Sequence, residues 1–344
     1  MSNEILNVAV VGSGIWGGQH AHVFNTLPNT RLVAVCDLQE DRAQAMAKTH
    51  GVAHVFTDHR KLLELDGIDA ITIATPDFTH TPLIVDALAA GKHVLSEKPL
   101  ATTVDEAEAI RKAAAASDRK IMVDFHNRVN PAIAAARDEI AQGTLGRVIH
   151  GSGRLSNTTF VPLEMLAWAG RSSALWFLGS HLVDALRFML DDDVTRVFAM
   201  RRDGHLASKG VATADVHLSM LEFSKGAILT IENSWVLSPD NPQVFHFETE
   251  LVGERGQIQL NPSHNGAYRQ LTGQGLKYRD LFGVTPAGPA RIGGFVFESI
   301  ARFVDAIQND TEVLATVEDG LRVTRVLSAI EDSAKSGQPV DITY

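Results

Sequence analysis

Cysteine is almost absent from this 344-residue chain, which has only Cys36. One thiol makes neither an internal disulfide framework nor a multi-thiolate zinc site. Basic runs are absent as well, and 41 acids against 31 bases give a net charge of -10. That excludes nucleic acid or an anionic membrane as the main partner, while a small anionic substrate stays open. No apolar run approaches the roughly 20 residues of a membrane span. The opening MSNEILNVAVVG has no basic segment followed by a long apolar one, so no signal peptide is expected, and a reducing cytoplasm fits. Internal repeats and low-complexity tracts are missing too. With 45% hydrophobic and 21% charged residues, the composition is that of a folded globular protein.

Two domains are expected from the length, 1–125 and 126–344. Short apolar runs at 5–11, 30–37, 53–56, 69–75, 92–98 and 120–125 read as strands. Between them 15–27, 40–50, 58–65, 79–90 and 103–117 read as helices. Strands alternating with helices of this length build parallel βαβ units, and strands apolar throughout belong to a sheet buried on both faces. After residue 126 the rhythm changes. A helix over 130–142 ends at Gly143, a strand follows over 146–155, and 162–190 reads as helical with a break near Gly170. Strand-like pieces run from 194 to 271, with turns at Lys225-Gly226 and in the GERG of 253–256. The Gly/Pro-rich 283–294 reads as an exposed loop, and helices near 295–308 and 317–336 follow it. The second domain is thus expected to be α+β, with a large, mostly antiparallel open sheet. Its uncovered face is expected to bury itself against a second copy, in a homodimer or homotetramer.

The first strand runs into Gly12-Ser13-Gly14-Ile15-Trp16-Gly17, a G-x-G-x-x-G that opens a helix. In that context the glycines allow a tight turn, room for a pyrophosphate against the backbone, and close helix–strand packing. The helix N-terminus offers free N–H groups to the phosphates. Asp37 ends the second strand, 20 positions after Gly17, where a carboxylate accepts both hydroxyls of the adenosine ribose. It repels a 2′-phosphate, so NAD is favoured over NADP, and nearby Arg42 keeps NADP open. The alternative is a glycine-rich turn that binds nothing. The first domain therefore reads as a Rossmann doubly wound sheet.

The run ATPDFTHTPLIVDALAAGKHVLSEKPLA (74–101) carries TPDFTH after the fourth strand and EKP after the fifth, at the edge where doubly wound sheets bind ligands. Pro99 disfavours helical geometry at Lys98, which then points into the crevice; a solvated surface lysine is the bland alternative. With the glycine motif, this run resembles the Gfo/Idh/MocA oxidoreductase family, and the likeness extends to GGFVFESIARFVDAI and AIEDSAKSGQPVDI near the C-terminus. The resemblance implies that Lys98 lies beside nicotinamide and substrate and takes part in proton transfer. It implies that Thr75, Pro76, His80 and Glu97 line the nicotinamide end, and that Asn127 and Arg128 face cofactor or substrate.

In SALWFLGSHLVDAL (173–186) a lone His181 lies among apolar residues, and on that stretch alone it reads as a core histidine. The family reads D-x-x-x-H-x-x-D here, with the His as acid/base. This chain keeps His181 and Asp184 but has Phe177 at the first Asp, so either a Lys98–His181 dyad works without the third member or the substrate is set differently from that of the inositol dehydrogenases. A phenyl ring stacks on the apolar face of a sugar or narrows the pocket. Trp168 and Trp176, with Arg171 between them, form either a sugar platform with an anion site or a packing contact. His20, His22, His126, His150, His205, His217, His246 and His264 show no metal-ligand spacing, so no metal is expected. No G-x-S-x-G elbow surrounds Ser180, which removes a serine hydrolase.

The first reading is an NAD-dependent dehydrogenase acting on a secondary hydroxyl of a sugar, polyol or sugar acid. The second is a redox-neutral glycoside hydrolase that oxidises, eliminates, hydrates and reduces with NAD held throughout. A third is an NAD(H)-sensing protein without catalysis, against which the presence of both Lys98 and His181 argues.

Overall fold

The computed structural model describes residues 5–263, 269–272, 275–278 and 293–344. By compactness the chain falls into two units, Met1–His126 with Val284–Leu321 and Asn127–Gly283 with Arg322–Tyr344. The first begins as a strict alternation: β1 (Leu6–Val11), α1 (Ile15–Thr26), β2 (Thr30–Cys36), α2 (Glu40–His50), β3 (His54–Phe56) and α3 (His59–Leu63). It continues with β4 (Ala70–Ile73), α4 (His80–Ala89), β5 (His93–Ser96), α5 (Val104–Ala115) and β6 (Ile121–Val123). The helices start and stop where local chemistry says they should. Thr103 caps α5 by accepting from Glu106 N at 3.2 Å, with Asp105 and Glu106 in the first turn. At the other end of α2, Gly51 takes the left-handed conformation at φ +70°.

The six strands pair in the order β3-β2-β1-β4-β5-β6, all parallel. The order in which strands are added reverses between β1 and β4, so the loops after these strands flank the switch point where such sheets take ligands. Val8, Ala9 and Val10 of β1 are fully buried, as are Ala70 and Ile73 of β4.

The second unit opens with α6 (Pro131–Ala141) and β7 (Val148–Asn157), followed by short turns and α7 (Ser180–Leu190). Then come β8 (Val194–Asp203), β9 (Ala214–Phe223), β10 (Ile228–Ser234), β11 (Phe245–Gly253) and β12 (Gln257–Leu260). A two-stranded hairpin, β13 (Arg269–Thr272) and β14 (Gly275–Tyr278), precedes α8 (Phe295–Gln308), α9 (Val317–Ser336) and β15 (Val340–Asp341). The large sheet runs β12-β11-β7-β10-β9-β8-β15. It is mixed rather than wholly antiparallel, because β7 and β10 lie side by side in parallel. Burial alternates along β9, with Leu218 53% and Met220 49% exposed on one face while Leu221 and Phe223 are buried on the other. Leu182 of α7 packs 3.0 Å from where a Cβ at Gly153 would stand, so that glycine lets helix and sheet close up. No helix among the described residues is long and apolar enough to cross a membrane.

Two differences from the sequence reading have clear causes. The stretch 162–190 is not one broken helix. It forms two π-helical turns (Val161–Met165 and Leu175–Gly179), a 3₁₀ turn (Ala169–Arg171) and only then α7. A sequence division at 125/126 also leaves α8 with the second domain. In the structure Val296, Ile300, Phe303 and Val304 of α8 pack into one cluster with Leu6, Val8, Phe24 and Leu95 of the first unit. Of the expected loop 283–294, residues 283–292 lie outside the described residues, as does His264.

Candidate active site

The glycine turn after β1 is as tight as its sequence demands. Gly12 sits at φ +102°, and a Cβ there would lie 2.4 Å from Ala74 O. A Cβ at Gly17 would lie 1.8 Å from Gly12 O, so α1 packs directly on the turn. Gly14 differs: nothing stands within 4 Å of its Cβ position, which leaves the space a pyrophosphate needs. Asp37 Oδ2 accepts from Ser13 N at 2.7 Å and Oδ1 from Gln39 N at 2.8 Å. These bonds aim the carboxylate, and each oxygen keeps a lone pair for a ribose hydroxyl. The residues present thus fit a dinucleotide. Arg42 is exposed at the start of α2. Ile15 is 62% exposed beside the turn, whereas the Trp16 ring is turned away onto His126, stacked at 5.5 Å and 23°.

Across the switch point, Pro76 O accepts from Thr79 N at 2.9 Å, and Thr79 Oγ1 donates to Thr75 Oγ1 at 2.8 Å. His80 is a strut. Its Nδ1 faces Pro99 O at 2.8 Å and its Nε2 faces Thr75 O at 3.0 Å, so the ring ties the end of β4 to the EKP segment. Lys98 follows Glu97 just past β5 and is 5% exposed. Burial holds its pKa below the ordinary lysine range, against the charges of Glu97, Asp77 and Asp124. Burial opposes ionisation of Glu97 too, but the His20 hydrogen bond and charge, then Lys98 and His126, keep its pKa well below the usual carboxylate range. His126 is pushed down to about 4 by burial, despite the charge of Glu97.

In the second unit His181 is the second residue of α7, 6% exposed, directly after the π-helical turn Leu175–Gly179. Such turns rotate the face that the following residues present. Phe177, in that turn, meets Trp168 edge-on at 5.9 Å and Trp235 at 5.9 Å, forming an aromatic row. The two tryptophans singled out by sequence are parted. Trp168 packs on Phe177, while Trp176 and Arg171 line a separate cavity of about 440 Å³ with Arg201, Asp203 and Glu331. Arg128, expected at the substrate, is buried and bound to Asp184 at 2.6 and 3.0 Å, with its guanidinium 5.2 Å from the Phe188 ring. A buried guanidinium needs a buried anion, and Asp184 supplies it. Asp184 therefore ties α7 to the segment before α6. Asn127, in that same segment, is 6% exposed and accepts from Asn130 N through its carbonyl at 3.0 Å.

Sequence spacing missed a cluster. His20, Glu97 and Asp124 bring potential ligand atoms within 4.8 Å of one another, although no metal-ligand spacing connects them along the chain. In this structure the imidazole spans the two carboxylates itself. The available signals were a histidine on the buried face of α1, beside Phe24, and a charge in the otherwise apolar KIMVDF. Trp235, fully buried and donating to Asn157 Oδ1 at 3.2 Å, was likewise silent in sequence.

Comparison with known proteins matches the same two parts of the chain. Residues 6–125 match the model of an oxidoreductase family with an NAD-binding Rossmann fold, and 133–259 match the GFO/IDH/MocA C-terminal domain. The inositol 2-dehydrogenase of Rubrobacter xylanophilus is 32% identical over 271 residues, covering 78% of this chain and 75% of that protein. The D-glucoside 3-dehydrogenase of Escherichia coli is 25% identical over 99% of each chain. Among solved structures, GenD2 from gentamicin A biosynthesis, in complex with NAD, superposes with a TM-score of 0.88 at 26% identity, covering 99% of this chain and 97% of its own. The chain belongs to the Gfo/Idh/MocA family of NAD-binding oxidoreductases.

Proposed function

We propose that this protein is an NAD-dependent dehydrogenase that exchanges a hydride with a secondary hydroxyl of a sugar, polyol or sugar acid. The observation that carries the reading is Lys98: a buried lysine with a depressed pKa, at the carboxyl edge of the sheet that also bears the glycine turn and Asp37. Named relatives support the substrate class, since they act on inositols and D-glucosides. When bound, NAD supplies the two-electron acceptor. The chain's own residues do the rest. Gly12, Gly14, Gly17 and Asp37 hold and orient the dinucleotide. Lys98 accepts the hydroxyl proton or stabilises the developing alkoxide, which its lowered pKa suits. His181 is assigned the acid/base role by its place in the family motif. Redox-neutral glycoside hydrolysis is not favoured by the relatives, which are named as dehydrogenases.

The test is NADH formation by the purified protein across polyols, free sugars, sugar acids and glycosides, with product masses read from the same reactions. NADH accumulating with a product two hydrogens lighter supports the reading. Glycoside cleavage without NADH overturns it in favour of the hydrolase.

Phe177 is read as a substrate wall in place of the family carboxylate. Phe177→Asp is expected to raise kcat/KM for a fully hydroxylated polyol about tenfold relative to a substrate with an apolar substituent, the worth of one charge-assisted hydrogen bond. An unchanged ratio removes Phe177 from the wall. The cytoplasmic placement rests on the single cysteine.

The open sheet face is read as the interface of a homodimer or homotetramer. It exposes Phe198, Met200, Leu218, Met220 and Ile228, and a cavity of about 700 Å³ lies over most of them. Light scattering is expected to give two or four times the 37.3 kDa chain mass, and a monomer overturns the assignment.

A further inference from the structure

The role given to Lys98 leaves open what sets its charge. Three ionisable side chains are enclosed with it in the first unit: His20 from α1, Glu97 from the end of β5, and Asp124 just after β6. His20 and Asp124 are 0% exposed and Glu97 is 4%. His20 faces Thr72 Oγ1 at 2.6 Å with Nδ1 and Glu97 Oε1 at 3.1 Å with Nε2. The same Nε2 lies 3.5 Å from Asp124 Oδ2. One ring N–H therefore faces two buried carboxylates.

The two carboxylates are not served equally. Glu97 accepts from His20 and, through Oε2, from Lys98 N at 3.2 Å. Asp124 Oδ1 accepts from Ser299 Oγ at 2.5 Å, but Oδ2 has no hydrogen-bond partner among the described residues. Two adjacent buried carboxylates strongly disfavour double ionisation, and the one with fewer donors takes the proton.

We propose that Asp124 is a positioning residue for Lys98: it holds an exchangeable proton in the His20–Glu97–Asp124 cluster, and carrying or releasing that proton sets how readily Lys98 gives up its own. This rests on the reading of Lys98 as the proton-handling lysine. The groups that act on Asp124 are Glu97 and Lys98 beyond β5, His20 of α1 and Ser299 of α8, and His126 acts in turn on Glu97. Burial and the charge of Glu97 push Asp124 up to about 7, against His20, Ser299 and Lys98. Burial alone favours neutral His20, but Glu97 and Asp124 outweigh it and raise its pKa. The sign for Lys98 follows. Below the Asp124 pKa the cluster has one anion fewer, and neutral Lys98 is favoured. Above it the new carboxylate draws a proton back onto Lys98. Asp124 thus damps the titration of Lys98.

Infrared difference spectra between the unsubstituted protein and Asp124→Asn read the proton directly. A protonated-carboxyl C=O band is expected at pH 6 and is expected to be gone by pH 8, on either side of about 7. Ser299→Ala, which removes the hydroxyl that donates to Asp124 Oδ1, is expected to carry the band to higher pH in the otherwise unchanged protein. Absence of the band from pH 5 to 9 overturns the proposal, whatever the activity. In kinetics, Asp124→Asn is expected to move the acid limb of kcat/KM for oxidation down by about one pH unit, with KM for NAD within about twofold. Superimposable profiles also overturn the proposal. A band in a protein that turns over no substrate of the panel overturns the dehydrogenase reading alone.

Discussion

Lys98→Met is expected to lower kcat for NAD-dependent oxidation by about two to four orders of magnitude, the usual worth of a positioned acid/base. That range corresponds to roughly 3–5 kcal/mol of lost transition-state stabilisation. The variant should fold, because an unbranched apolar chain replaces a lysine that is only 5% exposed. Affinity for NAD, measured by calorimetry, is expected to stay within a few fold, since the glycine turn and Asp37, to which that binding is assigned, lie on other loops. Loss of turnover with NAD affinity intact assigns Lys98 to the chemistry. Activity above a tenth of the wild type would remove it from that role and leave the sequence motif without a function here.

The second large effect concerns stability. Asp184→Ala strips the carboxylate from a guanidinium that is 8% exposed, and is expected to destabilise by about 3–5 kcal/mol in urea unfolding. The cost is that of a buried cation left without this carboxylate rather than the worth of the ion pair. The double variant Arg128→Met with Asp184→Leu is therefore expected to recover more than half of the loss, because it buries apolar groups in place of both charges. A loss below about 1 kcal/mol for Asp184→Ala would mean that solvent reaches Arg128.

Much of the first unit was legible because its signals are local. A βαβ unit writes its strand, its glycine turn and its helix within about 30 consecutive residues: Gly12 and Gly17 stand where the turn leaves no room for a Cβ, and Asp37 accepts from Ser13 N of that turn. The helix end at Gly143 was legible for the same reason, since left-handed backbone selects glycine. The family motif around Lys98 was readable as a string, although nothing in the string told that His80 spends both ring nitrogens on carbonyl groups.

By itself, then, the sequence determined the parallel sheet, the dinucleotide turn, the family and the order of the strands along the chain, because each depends on residues close together. The tertiary structure alone decided what meets across long separations. It brought His20 to Glu97 over 77 positions, Ser299 to Asp124 over 175, and Arg128 to Asp184 over 56. It also laid α8 back on the first sheet and turned the run before His181 into π-helical turns beside a buried Trp235. The reason is physical: a buried charge or ring is stable only with a partner, and which partner arrives is set by how sheets and helices pack, not by the neighbours in sequence.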